Sequence, residues 1–150
     1  QEMLETQKGI IQDRTIYEDV EIFAKNLFEI GHLSSRDWKN YKDLFELMIQ
    51  FIKSPDIIIY LRASMDTLLN RIRNRDRKCE ENIDPEYLYK LNIAYEKWIK
   101  SLDPKNVLII DTDNFNIFKD VDKLENITAS IIKKLDKYNL EVNKRFIKET

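Results

Sequence analysis

The stretch DIIIYLRAS, residues 56–64, limits the fold more than any other part of the chain. Its consecutive apolar residues lie between Pro55-Asp56 and Ala63-Ser64, so they read as a short strand covered on both faces. NVLIID, 106–111, has the same character, and GIIQD, 9–13, reads as a third buried strand ending in a polar dipeptide. Elsewhere the apolar residues recur at helical spacing. From Thr15 they fall at Ile16, Val20, Phe23, Leu27 and Ile30, which predicts a helix stopped by Gly31. Ser34 with Asp37 predicts the start of a helix to about Lys53, with Trp38, Tyr41, Leu44, Phe45 and Met48 on one side. Ser64 suits the N-cap of a helix through Leu68, Leu69 and Ile72 into an arginine-rich run. Asp84-Pro85 opens another, through Tyr87, Leu91, Tyr95 and Trp98 to about Leu102. A last amphipathic helix covers roughly 119–137; the tail from Tyr138 is weakly specified and residues 1–8 are polar and helix-compatible. Three short strands alternating with helices predict an α/β fold with a mainly parallel sheet. Ligands in such folds gather at the carboxyl ends of the strands. Chemistry is therefore expected at Asp13-Arg14, at Arg62-Ala63-Ser64 and from Asp111 to Phe115.

The totals exclude several function classes. The 150 residues suit one domain, and a net charge of −2 gives no global attraction to nucleic acid or membrane. The single Cys79 rules out an internal disulfide and fits a reducing compartment. No run reaches about 18 apolar residues, and QEMLETQKG has no apolar core of a signal peptide, so a cytoplasmic protein is expected. His32 is the only histidine, which excludes a multi-histidine metal site and argues against histidine-based nucleophilic catalysis. Only two glycines occur, Gly9 and Gly31, so the chain contains no Gly-rich phosphate cradle.

Charge is unevenly placed. RIRNRDRKCEEN, 71–82, packs five cations into eight residues and ends in two glutamates. Arg71 and Arg75 share a helix face, and so do Arg73 and Arg77. Such clustering disfavours a helix unless an anion neutralises it, and the planar guanidinium fork suits phosphate oxygens. A polyphosphate fits the run; an RNA backbone is the rival, and a plain solvated face remains open. Glu80 and Glu81 would repel phosphate, so they suit a sugar hydroxyl or simply offset their neighbours. Asp13 beside Arg14 could hold a metal ion and an anion, or merely cap a helix. Most aromatics, namely Trp38, Tyr41, Phe45, Tyr95 and Trp98, are read as core. Phe23 and Phe115 lie near strand-end loops and could stack on a base.

Three separated stretches, QDRTIYEDVEIFAKNLFE (12–29), PDIIIYLRAS (55–64) and RIRNRDRKCEENIDPEYLYKLNIAYEKWI (71–99), resemble the deoxynucleoside kinases, within them the bacterial deoxyadenosine and deoxyguanosine kinases. The resemblance covers most of residues 9–113. It implies a P-loop-kinase-like sheet and transfer of the γ-phosphate of ATP to the 5′-hydroxyl of a deoxynucleoside. It implies Mg²⁺ held by Asp13, and Arg14 near the 5′-oxygen. Asp19 would read the base edge, and Phe23 would stack on the base. Arg71, Arg75 and Arg77 would be lid arginines over the ATP phosphates, Glu80 would accept from the 3′-hydroxyl, and Phe115 would border the donor adenine. A homodimer through the helices at 15–30 and 34–53 is implied as well, with no nucleic-acid or membrane partner.

Two departures stand out. The family's lid commonly has a glycine where this chain has Asp76. The family also begins with a strand, a Gly-rich P-loop and a later strand ending in the general-base glutamate, none of which is present in these 150 residues. The missing first strand normally lies between GIIQD and DIIIYL. The chain is therefore expected to be the C-terminal part of a kinase and inactive alone. The alternatives are a thymidylate-kinase-like enzyme taking a monophosphate acceptor, and a non-catalytic nucleotide-binding or dimerisation remnant.

Overall fold

The computed structural model describes residues 10–80 and 83–148, with side chains to residue 136 apart from that of Cys79. The readings made for residues 1–8, Gly9 and Glu81 lie outside the described residues. The chain divides into two compact units. One comprises the described residues up to Ser54 with Tyr89–Trp98; the other comprises Pro55–Leu88 and the residues from Ile99 onward.

In the first unit a continuous helix, α1, joins three segments: Ile16–Glu18, a wider π turn at Asp19–Ala24, and Lys25–Glu29. The Glu18 carboxylate accepts from the Thr15 backbone N–H at 2.6 Å and starts it. Gly31 ends it as expected. His32 N–H donates to Leu27 O and Gly31 N–H to Phe28 O, the double bond of a Schellman stop, with Gly31 at φ 80°. A Cβ at Gly31 would meet nothing within 4 Å, so the requirement there is torsional rather than spatial. Helix α2, Ser35–Met48, begins at Ser34, whose hydroxyl accepts from Asp37 N–H at 3.2 Å, and a 3-10 turn, Ile49–Phe51, follows. Phe28 stacks on Trp38 at 5.5 Å, and Tyr17 meets Phe45 edge-on at 5.8 Å, which holds α1 and α2 together. The unit's core is Val20, Ile22 and Ala24, all on the π turn. No residue of α2 is buried, and Tyr41, read as core, is 39% exposed.

In the second unit β1, Ile58–Arg62, pairs in parallel with β2, Val107–Asp111, in the register Ile58 to Val107 through Arg62 to Asp111. Helix α3, Met65–Arg75, starts at Ser64, whose hydroxyl accepts from Thr67 N–H at 3.3 Å. A 3-10 turn, Lys78–Glu80, follows it. Helix α4, Pro85–Ser101, takes Asp84 as cap and Pro85 in its first turn, as the sequence predicts, and lends its middle to the first unit. Helix α5, Val121–Lys148, packs on β2 and runs well beyond the expected end near 137. Ala63, Val107, Ile110 and Ile99 are the buried apolar residues here.

The α/β class and parallel pairing hold, but the strand count does not. The described part of GIIQD, residues 10–13, forms no strand, and Ile10 and Ile11 are 49% and 99% exposed. A strand needs a neighbour to take its backbone N–H and C=O groups, and among the described residues none pairs with these. The apolar run reported burial potential, and no neighbouring strand among the described residues realises it.

Candidate functional site

Of the three sites expected at strand ends, two are built on the second unit's sheet. Because β1 and β2 are parallel, Arg62 and Asp111 end side by side, with Arg62 Nη2 3.3 Å from Asp111 Oδ2. Beyond them the loop from Thr112 folds back on β1 and α3. Thr112 N–H donates to Arg62 O at 2.8 Å, and its hydroxyl donates to the same carbonyl at 2.9 Å. Asp113 accepts from Ser64 N–H at 2.7 Å. This bond, then the Thr67 side chain, holds the Asp113 carboxyl below its usual range. The anion thereby sits at the N-terminus of α3, where the helix dipole favours it.

Arg71 is committed to the same loop. Its Nη1 donates to Thr112 Oγ1 at 2.9 Å; its Nη2 donates to Thr112 O and, at 3.3 Å, to Phe115 O. An open depression of about 320 Å³ lies beside these bonds, lined by Thr67, Asn70, Arg71, Asp113, Phe115 and their neighbours. It falls at the lower end of the size usual for small-molecule sites and mixes polar groups with one aromatic ring. Phe115 thus lines a cavity, and the bond from Arg71 that ties it there was not indicated by the sequence.

Arg75, Arg77 and Glu80 form an ion cluster. Glu80, 16% exposed, has Arg75 Nη2 3.0 Å from Oε2 and Arg77 Nη1 3.4 Å from Oε1. The Arg75 contact is an ion pair without hydrogen-bond geometry, and Glu80 Oε2 has no hydrogen-bond partner among the described residues. Arg75 ends α3, and Asp76 follows in the left-handed region at φ 48°, ψ 44°. A glycine adopts that conformation without cost, which gives a physical reason for the glycine implied there.

In the first unit Asp13 and Arg14 form the bend that enters α1, and both are exposed. Arg14 has φ 60°, an unusual conformation for a non-glycine residue, and its guanidinium lies 4.9 Å from the Phe23 ring centre. Tyr95, from α4, approaches the same ring edge-on, with centroids 6.3 Å apart and planes at 83°. Burial pushes the Tyr95 phenol up to about 12, helped by Glu18 and opposed by Arg14. Asp19 and Phe23 both lie on the π turn, a feature frequent at functional sites. Among the sequence candidates, Arg14 and Phe23 are therefore in contact, and the charges of Asp19 and Asp13 act on the Tyr95 that packs against Phe23. Tyr95 was read only as core, and its sequence position carries no signal that separates the two roles.

No group of three metal-ligating side chains occurs among the described residues. Mg²⁺ commonly takes one or two carboxylates, several waters and substrate phosphates, so the exposed Asp13 carboxylate fits an ion that arrives with a nucleotide.

Two parallel strands flanked by helices, with an arginine-rich segment after β1 and a polar loop after β2, make an α/β protein, consistent with the P-loop-kinase-like fold of the family that its sequence matches. The chain belongs to the deoxynucleoside kinase family, whose model matches residues 1–136. It is 36% identical over 125 residues to the deoxyadenosine/deoxycytidine kinase of Bacillus subtilis, covering 82% of this chain and 58% of that protein. It is 41% identical over 102 residues to the deoxyadenosine kinase of Dictyostelium discoideum, covering 68% of this chain and 41% of that one. To the deoxyadenosine kinase of Lactobacillus acidophilus it is 30% identical over 138 residues, 86% of this chain and 64% of that relative. The chain thus spans less than two thirds of the length of these relatives.

Proposed function

We propose that the protein to which this chain belongs transfers the γ-phosphoryl group of ATP to the 5′-hydroxyl of a purine deoxynucleoside, as a salvage kinase. The single observation that carries the reading is the arginine cluster at the end of α3, where Arg75 and Arg77 both pair with the one Glu80 carboxylate. Phosphoryl transfer depends mainly on positioning and on stabilising spread negative charge. Arg75 and Arg77 are suited to phosphate oxygens, and exchange of Glu80 for phosphate would release that carboxylate toward the sugar 3′-hydroxyl. The depression lined by Arg71 and Phe115 would take the donor base. Mg²⁺ on Asp13 would neutralise charge between donor phosphates; Arg14 would face the 5′-oxygen, and Asp19 and Phe23 would read and stack the acceptor base.

The general base and the phosphate cradle are not supplied by these 150 residues, so the chain alone should be inactive. Expected outcome: the full-length protein phosphorylates deoxyadenosine or deoxyguanosine with ATP, prefers them to deoxycytidine and thymidylate, and the isolated 150-residue chain shows no turnover. A preference for thymidylate would move the protein to monophosphate kinases. Binding of ATP without phosphorylation of any acceptor by the full-length protein would support a non-catalytic module. A cytoplasmic location and a homodimer complete the proposal. No described helix is long and apolar enough to cross a membrane. The dimer is supported by the exposed Leu44, Leu47, Met48 and Phe51, which recur at helical spacing along α2 and the turn after it.

A further inference from the structure

We propose that Tyr95 is a positioning residue of the acceptor site, its ring edge setting the plane of the Phe23 ring on which the base stacks. This rests on the kinase reading of Phe23 given above. A phenylalanine on a helix surface has two rotatable side-chain bonds, and a stacking ring must be held in one orientation to discriminate among bases. The structure shows two groups that restrict Phe23. The Arg14 guanidinium covers the ring at 4.9 Å, and Tyr95 abuts it at 6.3 Å with planes at 83°. An edge-to-face arrangement is the orientation that the ring quadrupoles favour, so the contact resists rotation in both rings. Arg14 is exposed and sits on a bend, whereas Tyr95 is half-buried on α4, a helix of seventeen residues. Of the two restraints, Tyr95 is the rigid one.

The surroundings of Tyr95 support the same role. Burial acts most strongly on its phenol, and the charges of Glu18, Arg14, Asp19 and Asp13 act on it as well, so Tyr95 is packed in place within reach of the DRTIYED segment. The phenol stays protonated over the pH range in which the enzyme is assayed, so the ring carries no charge beside Arg14. The aromatic ring, in T-shaped contact with Phe23, is the part that orients it.

The test uses the full-length protein, with Tyr95→Leu and Tyr95→Phe assayed beside the wild type for KM of the deoxynucleoside, KM of ATP and kcat. Tyr95→Leu is expected to raise the deoxynucleoside KM about tenfold, with the ATP KM and kcat within about twofold of wild type. Tyr95→Phe, which keeps the ring edge, is expected to restore the wild-type values. In a Phe23→Leu background, Tyr95→Leu should add no further rise, because the ring it orients is gone. An unchanged deoxynucleoside KM in Tyr95→Leu overturns the proposal. So does a parallel rise in both KM values, which marks general loosening, or a Tyr95→Phe variant as impaired as Tyr95→Leu. Should Tyr95→Leu fail to fold, Tyr95→Met fills similar volume without a ring edge, and the same outcomes apply. A wild-type protein that phosphorylates no deoxynucleoside fails at the first assay and overturns the kinase reading and the proposal together. Activity with unaffected Tyr95 variants overturns the proposal alone.

Discussion

At the residue scale, charge pairing dominates what the side chains do. Arg71 serves as a fastener for the loop after β2, with Nη1 and Nη2 donating to Thr112 and Phe115, while Arg75 and Arg77 share Glu80. Residues of one type in one run therefore hold different jobs, decided by which acceptor the fold brings near. Tyr95 shows the effect of surroundings on an ordinary group. Its phenol titrates at about 12 instead of 10.0, first because of burial and then because of Glu18, with Arg14 opposing. The folded form thus keeps its proton where the unfolded chain has lost it. Stability from this group is full below pH 10 and falls as pH rises toward 12. An ultraviolet titration should show one tyrosine ionising near 12, and that late step should vanish in Tyr95→Phe. A Tyr95 that ionises with the exposed tyrosines would contradict the packing described for it.

At the element scale, helix ends were the most legible features. Ser34, Ser64 and Asp84 each accept from the backbone where a cap was expected, and Gly31 closes α1. These signals are local: a side-chain oxygen reaches two or three residues along, and a left-handed turn needs one glycine. Asp76 is the exception, since it takes a left-handed conformation at the end of α3 without being glycine. Asp76→Gly should stabilise the protein by about 0.5 kcal/mol in chemical denaturation, because relief of the left-handed penalty outweighs the added chain entropy. Asp76→Ala should give no gain, since it keeps a Cβ in the same conformation. The π turn of α1 had no sequence signal, because the apolar spacing from Ile16 to Ile30 fits an ordinary helix. The failed strand at residues 10–13 had a misleading one, since an apolar run states what could be buried and not whether a neighbour exists.

At the scale of the whole molecule, the exposed apolar surface is the outstanding property. Leu44, Leu47, Met48 and Phe51 form a stripe on the first unit, with Phe51 73% exposed, and Leu61 on β1 is 63% exposed in the second. Contiguous apolar stripes of this kind mark association surfaces. In the full-length protein, Phe51→Glu with Leu47→Glu should convert a dimer to a monomer in sedimentation analysis, with thermal unfolding changed little at these exposed positions. A dimer that persists would place the contact elsewhere. The sequence by itself determined the α/β class, the helix caps, the exclusion of a Gly-rich cradle and the family, because these depend on spacing, residue type and short-range hydrogen bonds. Only the tertiary structure decided that Arg71 fastens the loop carrying Phe115, that Glu80 bridges Arg75 and Arg77, and that Tyr95 meets Phe23. Those outcomes join residues far apart in the chain or turn on side-chain direction, and linear spacing carries no record of which groups folding brings within a few ångströms.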